Sequence, residues 1–278
     1  MKAGVISRTD LPEALAVART IVEHLESRGV DIRVETETAL ALDRPEMNAD
    51  LGEMDVDFIV AVGGDGTILR TAMLIPEPGT PILGVNLGSR GFLTEILPGE
   101  VEGSLDRVLE GDYIIDERVK LSSRCLQLGG AFPDSLNEVL VASSLPSKVL
   151  EMSFIVDGEH IIDVQADGAI VATPTGSTAY SLSAGGSIVV PEVPAMILTA
   201  ICPTSYFRSL VAPLSSRIRI ELLKPKADAL AIVDGRVQTA LKPRSTVEVW
   251  ASPHRARFIR FRSFYSRLER RLTFRHVK

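Results

Sequence analysis

The feature that most restricts the fold of this chain is a change of hydrophobic rhythm near Pro98. Before it, short apolar runs alternate with helical spacing. Residues 3–7, 30–34, 57–62 and 82–86 read as buried strands, while Leu11, Ala14, Leu15, Ala18, Ile21, Val22 and Leu25 recur on one face of a helix. Asp10, with Glu13 three residues on, offers a capping box at the start of that helix, and Gly29 a stop at its end. A short helix over residues 67–74 separates the third and fourth strands. This order requires a parallel sheet covered by helices, because parallel neighbours need a crossover connection.

After Pro98, one helical stretch (residues 101–110) gives way to short β-rich runs. Residues 152–156 and 159–162 flank Asp157-Gly158, and residues 229–233 and 236–240 flank Asp234-Gly235, both with the signature of tight hairpins. Residues 218–222 and 246–250 alternate as half-buried strands do, and long helical periodicity is missing from residues 117–250. The expectation is an α/β domain over residues 1–98 and an all-β, sandwich-like domain over residues 99–262. Residues 255–262 read as a strand and 264–272 as a short amphipathic helix, in a tail (about 263–278) expected to return to the first domain.

The length, 278 residues, suits two domains, and 45% hydrophobic with 24% charged residues excludes a disordered or collagen-like chain. From Ser252 to Lys278 there are nine basic side chains and one acidic, +8, which leaves −14 for the rest of a chain whose net charge is −6. A solvated or subunit-facing strip and an anion-facing surface both suit that basic tail. The overall charge does not point to nucleic acid. Cys125 and Cys202 are too few for a disulfide framework. Residues 1–7 lack the apolar stretch of a secretion signal, and Pro191, Glu192 and Pro194 break the most apolar window. A cytoplasmic chain without membrane or nucleic-acid partners is expected.

The densest chemical signal is Gly63-Gly64-Asp65-Gly66-Thr67, between an apolar strand and a helix start. Glycines let the backbone turn sharply and approach a ligand, and the open N–H groups of a helix start suit phosphate. A carboxylate there repels phosphate unless it is used, either as a proton acceptor or toward a magnesium ion. Both uses point to phosphoryl transfer. The chain has neither Gly-x-x-x-x-Gly-Lys-Ser/Thr nor Gly-x-Gly-x-x-Gly. A second turn-rich segment, residues 166–186, gathers Thr173, Thr175, Ser177, Thr178, Tyr180, Ser181 and Ser183 around Pro174, Gly176, Gly185 and Gly186, as a loop contacting a polar ligand would.

These motifs resemble those of the NAD kinases, which use ATP or polyphosphate to phosphorylate the 2′-hydroxyl of the adenosine ribose of NAD, giving NADP. The resemblance is carried by Gly63–Thr67, by Gly84-Val-Asn-Leu-Gly-Ser-Arg-Gly-Phe-Leu-Thr-Glu95, by Asn137-Glu138 and by Asp167 through Ser181, with a looser match on to Asp234-Gly235. It implies a Rossmann-like α/β domain followed by a sandwich-like NAD-binding domain. It implies Asp65 as the catalytic base, with Gly63, Gly64, Gly66, Thr67 and Arg70 around the ligand. Asn137 and Glu138 are implied to hold ribose hydroxyls, and an amide beside a carboxylate supplies the donors and acceptors a vicinal diol needs. Asp167, Thr178, Ala179, Tyr180, Ser181 and Ser183 are implied as NAD contacts, and Lys148 and Gln238 as weaker ones. A divalent cation such as Mg²⁺, held mostly through phosphates and water, and a homodimer or homotetramer are implied as well. The chain departs from the family at Thr204, where many relatives carry histidine, after Arg208, where many carry proline, and at Ser89-Arg90. Donor contacts and the choice between NAD and NADH turn on such positions. A lipid kinase of the diacylglycerol type shares the glycine turn but has no use for Asn137-Glu138, and a non-catalytic NAD(H) sensor would bind without turnover.

Overall fold

The computed structural model describes residues 1–76, 79–88, 91–145, 148–224, 228–266 and 268. It divides into two compact units, Met1–Glu117 with Arg255–Lys278, and Arg118–His254.

The first unit runs β1 (Lys2–Ser7), α1 (Pro12–Ser27), β2 (Asp31–Glu35), α2 (Thr36–Ala41), β3 (Asn48–Ala49), β4 (Phe58–Gly63), α3 (Asp65–Leu74), β5 (Ile82–Asn86) and α4 (Val101–Glu110). Its strands pair in parallel in the order β3-β2-β1-β4-β5. β4 and β5 are buried along their whole length, which is why their sequences are unbroken apolar runs rather than alternating ones. Ala14, Ala18, Ile21 and Leu25 of α1 share a core with Val5, Val60 and Val85, and Val101, Leu105 and Val108 of α4 join the same core. That shared apolar face explains why this unit runs beyond residue 98.

The start of α1 departs from the expected capping box. Leu11 is the capping position and, with no polar atom in its side chain, makes no side-chain cap; Pro12, which has no N–H to satisfy, opens the helix. Asp10 instead accepts from Arg8 Nε at 3.0 Å. The end is as expected. Gly29 takes φ +70°, its N–H reaches Glu26 C=O at 3.0 Å, and Val30 N–H reaches Leu25 C=O at 3.1 Å, a Schellman stop.

β6 (Ile114–Cys125) leads into the second unit. There follow β7 (Glu138–Ser143), β8 (Leu150–Val156), β9 (Glu159–Ala166), β10 (Gly168–Ala172), the single turn α5 (Tyr180–Ser183), β11 (Ala195–Ile201), β12 (Ser209–Pro213), β13 (Ile218–Lys224), β14 (Ala229–Val233), β15 (Val237–Leu241) and β16 (Thr246–Arg260). One sheet has the order β12-β11-β10-β7-β14-β15, every pair antiparallel. The other places β16, β13, β8 and β9 side by side, with β6 against β16. Val139, Val141, Val171 and Leu198 from the first sheet meet Met152, Phe154, Ile220 and Val249 from the second in one core, as in a sandwich.

Asp157 and Gly158 both take left-handed backbone (φ +51° and +87°), as a two-residue hairpin turn requires. The second Asp-Gly hairpin is longer. Val233 pairs with Val237, so residues 234–236 form the loop, closed by Arg236 N–H to Val233 C=O at 2.9 Å. The two runs expected at 246–250 and 255–262 are one 15-residue strand, β16, whose Phe258 pairs in parallel with Ile82. Residues 264–266 and 268 are helical, and the remainder of the expected tail helix lies outside the described residues.

Candidate active site

In the first unit, β4 ends at Gly63 and α3 begins at Asp65, with extended Gly64 between them. The two glycines are needed for different reasons. A Cβ on Gly63 would stand 2.2 Å from Thr67 Oγ1, so this position is fixed by packing, whereas a Cβ on Gly64 would meet nothing within 4 Å among the described residues. Open space beside a helix start is room for a ligand.

Asp65 is the first residue of α3. One carboxylate oxygen accepts Phe92 N–H at 2.8 Å and the other accepts Leu93 N–H at 3.0 Å. The segment before these donors can come this close because residue 91 is glycine. A Cβ there would lie 2.5 Å from Thr94 Oγ1 and 3.1 Å from both Asn86 Oδ1 and Asp65 Oδ1. Asn86 in turn holds the backbone of Gly88 through its Nδ2 and Oδ1, at 2.9 and 3.2 Å. Each Asp65 oxygen keeps a second lone pair, so the carboxylate remains able to accept a hydroxyl proton. Arg70, one turn along α3, donates to buried Glu35 at 2.8 Å, while the other Glu35 oxygen accepts from Thr38 N–H and Oγ1.

The second group lies at the start of β7. Asn137 and Glu138 are both buried. The backbone N–H groups of Leu136, Asn137 and Glu138 all donate to the Asp234 carboxylate, at 2.7, 2.8 and 3.0 Å. On the other side, Thr173 N–H reaches Asn137 C=O at 2.9 Å and Thr173 Oγ1 reaches Leu136 C=O at 2.6 Å. A Cβ on Gly176 would stand 2.0 Å from the Asn137 carbonyl oxygen, so the Thr173–Gly176 turn seats directly on this pair. Buried Arg118 donates to Thr175 Oγ1 at 3.2 Å.

Glu138 Oε2 is buried and has no hydrogen-bond partner among the described residues. Burial first, then the charge of Asp234, pushes the Glu138 carboxyl up to about 8. Burial also raises Asp234, against the three backbone donors and nearby Lys120. A carboxyl that carries its proton at neutral pH both donates and accepts, and an orphaned buried oxygen calls for a ligand hydroxyl.

The other expected residues divide by exposure. Asp167 stands exposed between β9 and β10, its C=O taking Ser143 N–H at 3.0 Å. Thr178 Oγ1 reaches Thr175 C=O at 3.1 Å, and Ala179 N–H reaches Gly176 C=O at 2.9 Å. Tyr180 and Ser183 face outward, whereas the Ser181 hydroxyl is buried against Thr199 Oγ1 at 3.0 Å. Gln238 is exposed in a cross-strand row with Ile232 and Leu140, on the same sheet face as Glu138. Lys148 is exposed beyond the end of β7, its N–H reaching Leu145 C=O at 3.3 Å. Thr204 is tied by its N–H to Gln165 C=O at 2.9 Å. Ser89 and Arg90 lie outside the described residues.

The sequence profile of the ATP-NAD kinase N-terminal domain matches residues 3–113, and that of the ATP-NAD kinase C-terminal domain matches residues 136–261. The NAD kinase of Methanothermobacter thermautotrophicus is 40% identical over 98% of this chain and 96% of its own length. The chain belongs to the NAD kinase family. The NAD kinase of Thermococcus gammatolerans is 42% identical over 94% of both chains. Among solved structures, yeast NADH kinase complexed with NADH superposes with a TM-score of 0.88 at 26% identity, covering 100% of this chain and 90% of its own. The Archaeoglobus fulgidus NAD kinase in complex with ATP gives 0.78 at 27% identity, covering 97% and 99%. Membership makes this chain a kinase that phosphorylates NAD, with the two-domain fold of NAD kinases. No helix among the described residues is long and apolar enough to cross a membrane.

Proposed function

We propose that the chain transfers a phosphoryl group from ATP or polyphosphate to the 2′-hydroxyl of the adenosine ribose of NAD, with Asp65 as general base. The observation that carries this reading is the seat of Asp65: at the head of α3, behind two glycines, with one backbone donor on each carboxylate oxygen. A secondary ribose hydroxyl is a poor nucleophile at neutral pH, so its proton must be withdrawn as attack proceeds. A carboxylate held in one plane meets that hydroxyl without reorganising. Gly64 and Gly66 border the phosphate path, Gly63 and Thr67 pack the turn beneath it, and Arg70 lends positive charge from the same helix.

Asn137 and the orphaned Glu138 carboxyl take the ribose diol. Asp167, Thr178, Ala179, Tyr180 and Ser183 border the dinucleotide, with Lys148 and Gln238 as outlying contacts, and Ser181 supports the loop from beneath. Relatives of this fold are complexed with NADH in one case and ATP in another, which supports a dinucleotide acceptor and a nucleotide donor. Mg²⁺ gives up its waters reluctantly, so a bound ion would be held mostly through the donor's phosphates and water, where it would shield the phosphate charge. The working form is a cytoplasmic homodimer or homotetramer.

The test is NADP formation from NAD and NADPH formation from NADH, with ATP and with polyphosphate, in the presence of Mg²⁺ and alongside size exclusion. NADP production lost in Asp65→Asn supports the reading. Failure of the unaltered chain to form NADP with either donor refutes it.

A further inference from the structure

Three consecutive N–H groups, of Leu136, Asn137 and Glu138, converge on the single carboxylate of Asp234. In a regular strand, successive N–H groups point to opposite sides, so such convergence requires a backbone bent around an anion, as in an anion-binding nest. The anion here belongs to the chain itself, 98 positions from Leu136. Asp234 holds a left-handed backbone (φ +47°), which aspartate tolerates better than most residues, and its own N–H returns to Glu138 C=O at 3.1 Å. The opposite side of the segment is closed by Thr173 and by the missing Cβ of Gly176.

We infer that Asp234 is a positioning residue for nucleotide binding: it sets the backbone of residues 136–138, and with it the points from which the Asn137 and Glu138 side chains reach the ribose. The inference rests on the proposed assignment of those two side chains. Asp234 does not itself touch the nucleotide. Its carboxylate fixes the pair in advance, so the cost of ordering them is met on folding rather than on binding. The charged groups around it are Glu138 on β7 and Lys120 on β6, with Arg118 on β6 holding the adjoining turn through Thr175. Because Asp234 is a like charge beside Glu138, it also favours the protonated form of that carboxyl.

The experiment compares the full chain with Asp234→Asn in steady-state assays across pH. Asparagine keeps the shape and tolerates left-handed backbone, and one oxygen still takes two of the donors. Its NH₂, however, opposes the third. KM for NAD is expected to rise about ten-fold or more, with kcat at saturating NAD falling no more than about three-fold, as for lost hydrogen bonds to a charged group. The alkaline limit of kcat/KM for NAD should move to lower pH, because the like charge beside Glu138 is gone; a merely structural role would leave it in place. A folded Asp234→Asn protein with unchanged KM for NAD and an unmoved alkaline limit overturns the inference. Should that variant melt below the assay temperature, Asp234→Gly removes the carboxylate while relieving the left-handed backbone, and the same outcomes apply. Glu138→Gln and Asn137→Ala separate the two ideas. If both leave KM for NAD unchanged, the ribose assignment fails. If they raise it and the Asp234 variants do not, only the positioning role fails.

Discussion

Phe92 donates its backbone N–H to the Asp65 carboxylate at 2.8 Å, which makes the residue 84–95 motif and the glycine turn parts of one site. Leu93 takes the other oxygen, so the carboxylate plane is fixed from both ends. In Asp65→Asn the amide must turn its NH₂ toward one of these donors, and the proton acceptor is lost as well. Turnover at saturating NAD and ATP is expected to fall by roughly 10²–10⁴-fold. Melting curves should show a folded protein. Turnover close to that of the unaltered chain, with NAD bound, would end the assignment of Asp65 as base.

The neighbouring glycines are expected to respond in opposite ways. Gly64 has extended backbone (φ −114°) and, among the described residues, free space where a Cβ would go. Gly64→Ala should therefore leave stability unchanged or raise it by about 0.4–1 kcal/mol, through a less flexible unfolded chain. It should still raise KM for the phosphoryl donor, because the methyl fills the ligand's approach. Gly63→Ala drives a Cβ to within 2.2 Å of Thr67 Oγ1 and should destabilise the fold outright. Chemical denaturation paired with donor kinetics on both variants checks the contrast. A Gly64→Ala protein with normal donor KM would mean that this space is not used by phosphate.

What could be read from the sequence follows from where the signal resides. β4 and β5 announce themselves because both faces are buried and nothing interrupts the apolar run. The Asp10 cap misled because a carboxylate that can cap can equally bond Arg8, and the helix takes Leu11 as its cap with Pro12 in its first turn. β16 read as two pieces because Pro253 and His254 break its alternation, although the strand continues through them. Asp65, Asn137 and Glu138 were legible as motif residues. The inward turn of Asp234 was not, since Asp-Gly advertises a hairpin, and its first donor, Leu136 just before β7, lies 98 positions away in the sequence. Gly91 was equally silent, because its need for a missing Cβ exists only once Asn86, Thr94 and Asp65 surround it.

Within the Thr178–Ser183 segment, burial separates two kinds of residue that the sequence groups together. The Ser181 hydroxyl is buried on Thr199, whereas Tyr180 is 43% exposed. Ser181→Ala should cost about 1 kcal/mol of stability by leaving Thr199 a partner short, with little change in KM for NAD. Tyr180→Ala should do the reverse, weakening NAD binding at nearly constant stability. Melting temperature and NAD titration on each variant give the comparison. A large loss of NAD affinity in Ser181→Ala, at unchanged stability, would return that hydroxyl to the ligand.

Glu138 gives the protein a stability that depends on pH in a direction opposite to that of a salt-bridged carboxylate. Its ordinary value is 4.5, and burial, followed by the charge of Asp234, raises it to about 8 in the folded chain. Below 4.5 both states hold the proton and nothing is lost. Between 4.5 and about 8 the folded chain keeps a proton that the unfolded chain has released, so stability falls steadily as pH rises, and above that range the loss is complete. At roughly 1.4 kcal/mol per unit the loss amounts to several kcal/mol. Glu138→Gln has no proton to lose there. Its melting temperature without NAD should match that of the unaltered chain near pH 5 and exceed it by several degrees at pH 8.5, while KM for NAD rises. Asp234, also raised by burial, titrates in both proteins, so the difference between the two curves carries the test. Parallel curves from pH 5 to 9 would show that this carboxyl ionises no differently in the folded and unfolded chains.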